Sequence, residues 1–255
     1  MSWFWGGNSI EIDDNKLIQK EITIASVKTA IIDGNTVYYF MDTETYEQEP
    51  LNKEQLGIKT IVQDYNSRDK SIVMGDKEKV LYGKGFITDI LLGKKFKISA
   101  KSFYQINSSQ CAVLYSKAME LANLSKTDIL FDAYCGVGTI GLVASDKVAK
   151  VIGVELVKDA VNDAIYNAKM NNVKNIHFFC DDASNFMKNM AVKKEKVDVL
   201  IMDPPREGST KQFINAIGYL KPRQVIYISC DPTTLKRDLY TFFDNDYVVK
   251  DIIGV

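Results

Sequence analysis

The stretch Phe131-Asp132-Ala133-Tyr134-Cys135-Gly136-Val137-Gly138-Thr139 decides the fold class of this chain. A short apolar run, 129–131, leads directly into it, and its two glycines let the backbone turn sharply and approach a ligand closely. A Gly-x-Gly pair alone is a weak signal, because many tight turns contain one. The pattern that follows along the chain gives the pair its meaning.

Apolar runs and helical spacings alternate after this stretch. Four further runs are typical of strands: 151–154, 176–179, 197–202 and 225–228. Between and after them, apolar residues recur at helical spacing around Val161, Phe213 and Leu235. Continuously apolar strands are typical of parallel sheets that helices cover on both faces. The sequence therefore predicts a doubly wound, mostly parallel, Rossmann-like α/β sheet over 101–255. A helix should open this domain near residue 108, capped by Asn107 and Gln110.

A smaller β-rich region is predicted over 1–100. Apolar and β-branched runs at 86–91 and 96–99 flank the turn Gly93-Lys94, which indicates a hairpin. A second hairpin is expected around Gly34-Asn35, and further strands at 58–62 and 71–74.

Composition excludes several classes of protein. The 255 residues carry 32 Lys and Arg against 33 Asp and Glu, and 46% are hydrophobic, which excludes a disordered or collagen-like chain. We find no apolar run long enough to span a membrane, no signal peptide and no C-x-x-C pair, so we expect a cytoplasmic protein with reduced cysteines and neither a metal site nor an iron–sulfur cluster. The formal net charge of −1 argues mildly against a nucleic-acid binder.

Acidic residues follow three successive predicted strands, where ligands bind in such sheets. Glu155 suits the two hydroxyls of a ribose, and Asp182 suits the adenine side of a nucleoside. Because three glycines, at 136, 138 and 141, keep the G-x-G-x-x-G spacing, NAD is an alternative ligand. Asp132 disfavours a pyrophosphate and instead suits the sulfonium and amino groups of S-adenosylmethionine. Each acid by itself is typical of a solvated loop.

The last two predicted strands are followed by reactive or rigid segments. Asp203-Pro204-Pro205-Arg206 presents its carboxylate on a rigid backbone, and Arg206 stands where amino-methylating enzymes carry an aromatic residue. Cys230 lies before a helix expected near Thr233, where the helix dipole and Arg237 favour a thiolate, so it is the candidate nucleophile. We assign Cys111, Cys180 and, by default, Cys135 to packing, and the single histidine, His177, to a structural role.

Four motifs together resemble one enzyme family. They are 102–107, Ser-Phe-Tyr-Gln-Ile-Asn; 131–139; 203–208, Asp-Pro-Pro-Arg-Glu-Gly; and 229–239, Ser-Cys-Asp-Pro-Thr-Thr-Leu-Lys-Arg-Asp-Leu. In this order they resemble the S-adenosylmethionine-dependent RNA uracil-5-methyltransferases, above all the bacterial enzymes that methylate uridines of 23S ribosomal RNA. The resemblance runs from about residue 57 to the end of the chain.

The resemblance implies roles for individual residues. It implies S-adenosylmethionine as cofactor, bound by Gln105, Tyr134, Glu155 and Asp203, with secondary contacts from Thr139 and Asp182. It implies Cys230 as the nucleophile that adds to carbon 6 of uracil, and Phe103, Gln105 and Asp203 as residues facing the base. The implied partner is RNA, either rRNA or tRNA.

The sequence departs from the family pattern in ways that keep alternatives open. We expect a truncated chain. It has no room for the family's N-terminal RNA-binding barrel, and we do not find the family's C-terminal glutamate, which is the base for the carbon-5 proton. Without the final strand, 225–228 would be an aggregation-prone edge. The alternatives are an inactive RNA- or cofactor-binding module, a methyltransferase with another acceptor, and a dehydrogenase. Two basic clusters fit either RNA binding or plain solvated surface: Lys94, Lys95, Lys97 and Lys101; and Arg206, Lys211, Lys236 and Arg237.

Overall fold

The computed structural model describes residues 26–32, 35–41, 59–65, 77–100, 102–105 and 107–255. The chain divides into two compact units, Met1–Ile58 and Lys59–Val255. In the first unit, strands β1 (Ser26–Ile32) and β2 (Asn35–Met41) pair antiparallel, with Ile32 opposite Asn35. This pairing confirms the hairpin predicted around residues 34 and 35.

The second unit begins with two antiparallel strand pairs. These are β3 (Thr60–Tyr65) with β4 (Lys77–Gly83), and β5 (Phe86–Leu91) with β6 (Lys94–Ser99). The β5–β6 hairpin was predicted, and Gly93 at its turn has φ +79°. Strand β4 was not predicted, because its charged start lacks a β pattern. The expected strand at 71–74 lies outside the described residues. The predicted domain boundary between residues 100 and 101 stays a prediction.

The rest of the unit is a parallel sheet flanked by helices. Its strands are β7 (Ile129–Ala133), β8 (Lys150–Glu155), β9 (Ile176–Cys180), β10 (Val199–Met202) and β11 (Gln224–Tyr227), in the order β11-β10-β7-β8-β9. The helices are α1 (Ser108–Ala122), α2 (Thr139–Ala144), α3 (Lys158–Met170), α4 (Ala183–Val192), α5 (Lys211–Leu220) and α6 (Pro232–Phe243), with a 3₁₀ turn at Ser145–Lys147. This is the predicted fold class. The predicted cap of α1 is also present, since the Asn107 side chain accepts from the Gln110 N–H.

Two hydrophobic clusters cover the two faces of the sheet, because alternate residues of a strand point to opposite faces. Leu130 and Val151 pack with α1 and α2, whereas Phe131 and Ile152 pack with α4 and α5. The expectation that all five strands are covered on both faces is wrong for the edges. His177, Phe179 and Cys180 of β9 are exposed, and β11 is half-buried throughout, since an edge strand has a neighbour on one side only.

Helix α3 supplies hydrogen bonds to the free edge of β6. The Asn171 amide pairs with the N–H and C=O of Lys95, and the Asn167 amide pairs with those of Lys97. The Asp163 carboxylate accepts from the Ser99 N–H. The repeats match, since four helical residues rise about 6 Å and two strand residues rise about 6.6 Å. The side chains of α3 therefore replace a neighbouring strand and hold the β5–β6 hairpin on the helix.

Candidate cofactor and nucleophile site

The strand order places a topological switch point at the carboxyl ends of β7 and β10, where doubly wound sheets form a crevice. The chain runs outward from β7 to β8 and β9 on one side, and β10 and β11 lie on the other. Ligands of doubly wound sheets bind at such a switch point. Four predicted site residues follow strand ends at this edge: Tyr134 after β7, Glu155 at the end of β8, Asp203 after β10 and Cys230 after β11.

The loop between β7 and α2 has a tightly constrained backbone. Tyr134, Gly136 and Gly138 all have positive φ, at +61°, +53° and +82°. A Cβ at Gly138 would lie 2.6 Å from the Phe178 ring and 3.2 Å from the Ala164 Cβ, whereas one at Gly136 would meet open space. Glycine is therefore required at position 138, because Phe178 and Ala164 pack against it, whereas the space beside Gly136 is open.

Asp132 does not face the crevice, which corrects the sequence-based expectation that it would meet a cationic ligand. Its side chain is fully buried, and its Oδ2 accepts from the Gly141 N–H at 2.7 Å. Its Oδ1 has no hydrogen-bond partner among the described residues. Burial raises the pKa of this carboxyl to about 8. Asp132 thus supports α2 from beneath and cannot reach a bound ligand directly.

Glu155 joins the ends of β7 and β8. Its Oε2 accepts from the Gly136 N–H at 3.0 Å, and its Oε1 accepts from the Val157 N–H at 2.9 Å. Each carboxylate oxygen has two lone pairs, so each retains capacity for one further donor. The two oxygens are therefore held in place with free acceptor sites, as two neighbouring hydroxyls require.

Asp203 carries a partly desolvated carboxylate at the switch point. Burial raises its pKa to about 6, and its charge in turn helps to raise the pKa of Asp132 and of Cys111. No donor among the described residues bonds this carboxylate. An unpaired carboxylate in a crevice attracts a cation or a hydrogen-bond donor.

The hydroxyl groups of Tyr134 and Thr139 both have protein partners. The Tyr134 hydroxyl lies 3.0 Å from the Ser209 Oγ, and its ring packs edge-on against Phe213. The Thr139 Oγ1 lies 3.3 Å from the hydroxyl of Tyr115, which is buried on α1. The loop is thus fixed to α1 on one side and to the segment after β10 on the other.

The β9 end of the crevice combines a helix cap with exposed apolar groups. The Asp182 Oδ1 caps α4 by accepting from the Asn185 N–H at 3.0 Å. The rings of Phe179 and Phe186 lie 4.8 Å apart, and Phe179 and Leu156 are exposed. Exposed apolar surface next to Glu155 and Asp182 fits a planar base that follows a ribose.

Cys230 is exposed, and Asp231, the next residue, caps α6 by accepting from the N–H groups of Thr233 and Thr234. Arg237 does not serve the thiol as predicted. Its guanidinium instead donates to the Asp238 carboxylate and to the carbonyls of Glu207 and Ser209.

The other cysteines divide between core and surface. Cys111 and Cys135 are buried, as their assignment to packing predicts. That assignment is wrong for Cys180, which is exposed because it ends an edge strand.

The segment that carries Phe103 and Gln105 is anchored by its polar neighbours. The Ser102 hydroxyl donates to Asp163, and the hydroxyls of Tyr104 and Ser108 both donate to Asp89 of β5. Phe103 is 73% exposed, and the Gln105 amide makes no hydrogen bond with a described residue. Both side chains are therefore available for a ligand, although no contact links them to Cys230.

The two basic clusters differ in their pairing. Lys94 pairs with Asp146, and Lys97 pairs with the buried Asp163 and lies over the rings of Phe86 and Tyr166. Lys101 lies outside the described residues. Arg206, Lys211 and Lys236 are exposed and form no ion pair with a described residue. In the first cluster Lys95 is also exposed and forms no ion pair with a described residue, so both clusters keep unpaired charge and the second keeps more.

Several residues that organise this site were missed by sequence reasoning. Tyr115, Asn167, Ser209 and Asp238 are buried polar residues that act on backbone or on other side chains. One signal was present, since Asp163, Asn167 and Asn171 recur every four residues along α3 and into its C-cap. No group of side chains suited to a metal ion occurs in the described part of the chain. Nor does any of its helices have the length and apolar character to cross a membrane.

Comparison with known proteins assigns the family. A family model described as tRNA (Uracil-5-)-methyltransferase matches residues 41–252. The chain belongs to this family. It is 41% identical to an uncharacterized RNA methyltransferase of Halalkalibacterium halodurans over 80% of this chain and 44% of that protein. It is 38% identical to one of Clostridium tetani over 91% of this chain and 52% of that protein. The chain therefore spans about half the length of the curated relatives it matches.

A solved structure agrees with this assignment. The tRNA (uracil-54, C5)-methyltransferase of Pyrococcus abyssi, in complex with S-adenosyl-L-homocysteine, superimposes with a TM-score of 0.64. It is 27% identical and covers 81% of this chain and 50% of that one. The predictions of the fold class and of a family of S-adenosylmethionine-dependent RNA uracil methyltransferases are confirmed. The residue roles stay predictions.

Proposed function

We propose that this chain transfers a methyl group from S-adenosylmethionine to carbon 5 of a uridine in RNA through a covalent bond to Cys230. One observation carries the proposal. An exposed cysteine follows β11 at the same edge of the sheet where Tyr134, Glu155 and Asp203 follow their strands. The proposed cofactor residues and the proposed nucleophile would thus share one edge of the sheet, as covalent methyl transfer needs.

The residues of the crevice fit S-adenosylmethionine, which supplies an electrophilic methyl group when bound. Glu155 offers two anchored oxygens to the ribose hydroxyls, and Asp203 offers an unpaired carboxylate to the cationic end. Asp182, Phe179 and Leu156 suit the adenine. Tyr134 and Thr139 lie at the two ends of the loop between β7 and α2. NAD fits less well, since its pyrophosphate would lie near Asp203 and the carboxylate would repel it.

The chemistry assigned to the protein is nucleophilic and electrostatic. The Cys230 thiolate adds to carbon 6 of uracil, and the electron pair of the double bond passes toward carbon 5 and the carbonyl oxygen at position 4. The Gln105 amide donates to that oxygen as its charge grows. Carbon 5 then takes the methyl group as the bond between that group and the sulfonium sulfur breaks, so that S-adenosylhomocysteine is the leaving group. Loss of the carbon-5 proton to a base, the role expected for the family's glutamate, lets the thiolate leave.

The target uracil must leave the stack of neighbouring RNA bases before the protein can bind it. Flipping a base costs a few kcal/mol, and packing against an aromatic ring offsets part of that cost. Phe103 is 73% exposed on an anchored segment, which suits this role. On the basis of the motif resemblance, we propose a uridine of 23S ribosomal RNA as the substrate. The family model is described by its action on tRNA, so tRNA is the second substrate to test beside it.

A mechanism-based trap tests the proposal. A short RNA with 5-fluorouridine and S-adenosylmethionine should yield a methylated protein–RNA adduct that survives denaturing electrophoresis, because fluorine blocks the final elimination. The adduct needs no base, so it forms whether or not the expected glutamate is present. Cys230→Ala should abolish it, and Cys180→Ala, at the other exposed cysteine, should leave it intact.

Other outcomes would refute the proposal. Methyl transfer that survives in Cys230→Ala contradicts the covalent route. RNA binding without an adduct supports a binding module, and methyl on a base amine supports another acceptor. Stronger calorimetric binding of NAD than of S-adenosylmethionine would favour a dehydrogenase. Running 23S and tRNA fragments in parallel identifies the preferred RNA.

A further inference from the structure

Asp238 is a buried carboxylate to which three elements donate. It lies on α6 and is 2% exposed. Its Oδ2 accepts from the Ser209 N–H at 2.6 Å and from the Tyr227 hydroxyl at 2.7 Å. Its Oδ1 accepts from Nε and Nη2 of Arg237 at 2.9 and 2.7 Å. The carboxylate therefore ties the segment after β10, the end of β11 and the helix that follows Cys230 to one point.

Arg237 strengthens the connection between α6 and the segment after β10. Its Nη2 also donates to the carbonyls of Glu207 and Ser209, at 2.7 and 3.2 Å. Gly208 has φ +75°, and a Cβ there would lie 2.6 Å from both the Arg237 Nη2 and the Asp238 Oδ2. The segment and the helix thus pack in close contact, with glycine required between them.

The network reaches both parts of the proposed site. Ser209 bonds Asp238 through its N–H and contacts the Tyr134 hydroxyl through its Oγ. Asp203 begins the segment that ends at Ser209, and Cys230 stands eight residues before Asp238, just ahead of the α6 cap. A connected series of hydrogen bonds therefore links the proposed cofactor loop, through Ser209, to the helix next to the proposed nucleophile.

We infer that Asp238 is a positioning residue that sets the placement of Cys230 against the cofactor site. The inference rests on the proposed function. It assigns Asp238 no contact with the substrate; the carboxylate acts through Ser209, Tyr227 and Arg237. Because a displacement of about 1 Å of a reacting group is enough to cost about a hundredfold in rate, loss of this anchor should slow chemistry more than cofactor binding.

The test compares Asp238→Asn with a matched control. Asp128→Asn alters another buried carboxylate paired with an arginine, Arg223, at the opposite edge of the sheet. For Asp238→Asn we expect the single-turnover rate of adduct formation with 5-fluorouridine RNA to fall about tenfold or more, while the dissociation constant for S-adenosylmethionine stays within about threefold. For Asp128→Asn we expect both values within about twofold of the parent.

A second variant keeps the inference open to refutation if Asp238→Asn does not fold. Tyr227→Phe removes one hydrogen bond to the same carboxylate and keeps the arginine pair, so we expect a smaller fall, about two- to fivefold. Adduct rates unchanged in both variants, or lowered equally in Asp128→Asn, would overturn the inference.

Failure of the proposed function is distinguishable from failure of this inference. If the parent chain forms no adduct, the proposed function fails, and hydrogen exchange at 206–209 then tests the structural part of the inference, that Asp238 holds this segment in place. Asp238→Asn should accelerate exchange there about tenfold or more, and Asp128→Asn should not. Equal exchange in the two variants would show that Asp238 does not hold this segment.

Discussion

The Glu155 carboxylate accepts a hydrogen bond from the Gly136 N–H at 3.0 Å, and this bond joins the ends of two neighbouring strands. The second carboxylate oxygen accepts from the Val157 N–H. Both oxygens are therefore oriented before any ligand arrives. A site arranged in advance loses less free energy when it binds than one that must order its side chains.

Glu155→Gln should weaken binding of S-adenosylmethionine. An amide has one acceptor oxygen, so its N–H₂ group would face the N–H of either Gly136 or Val157, and one bond would be lost. We expect the dissociation constant from calorimetric titration to rise about tenfold, or about 1.4 kcal/mol. Glu120→Gln, at an exposed residue of α1 paired with Lys117, is the control. Equal affinity in the two variants would contradict a role for Glu155.

Asp203→Asn should stabilise the unliganded chain at neutral pH. Burial raises the pKa of Asp203 to about 6 from an ordinary value near 3.8, so the folded state holds the proton more tightly. The corresponding stability is present below about pH 4 and is lost as the pH rises to about 6. We expect the variant to exceed the parent by about 1–3 kcal/mol at pH 7.5 and to match it near pH 4.

Urea unfolding at the two pH values measures this difference. Asp244→Asn, at the exposed end of α6, is the control and should show no such pH dependence. The same Asp203→Asn variant should bind S-adenosylmethionine weakly, since the carboxylate is lost. A stability gain that is larger at pH 4 than at pH 7.5 would show that the sign is wrong.

Asn167→Ala should destabilise the fold strongly, although it removes only a small polar side chain. Asn167 is fully buried, accepts from the Lys97 N–H and donates to the carbonyls of Lys97 and Val137. Alanine would leave these backbone groups unpaired, at about 2–4 kcal/mol in the free energy of unfolding. Asn162→Ala, on the exposed side of the same helix, should cost less than about 0.5 kcal/mol. Similar urea midpoints for the two would refute this account.

Two glycine substitutions should separate backbone strain from steric clash. Gly136→Ala meets open space and bears only the strain of a positive φ, about 1 kcal/mol. Gly138→Ala bears that strain and also places a Cβ 2.6 Å from Phe178, so we expect a loss of about 3 kcal/mol or more. Thermal unfolding of both variants tests the order. Gly136→Ala as the worse of the two would mean that the loop packs differently.

Local pattern alone predicted most of the fold. Strands β7, β8 and β10 contain the apolar runs 129–131, 151–154 and 199–202, and α1, α4, α5 and α6 begin after the usual capping residues Asn, Asp or Thr. Periodicity therefore located the sheet and the edge where Glu155 and Cys230 lie. The short helix α2 and the charged strand β4 lacked such a pattern. The sequence wrongly predicted that the edge strands are covered on both faces. An apolar residue such as Phe179 does not show whether another element packs against it.

The sequence by itself determined the fold class, the family and the residue types that follow each strand, because these depend on local periodicity and on motif order. Only the tertiary structure decided which of those residues face the crevice. It buried Asp132 beneath α2, turned Arg237 toward Asp238 and paired Lys97 with Asp163. The physical reason is that burial and pairing depend on residues far apart in the chain, which meet only when the sheet and its helices pack.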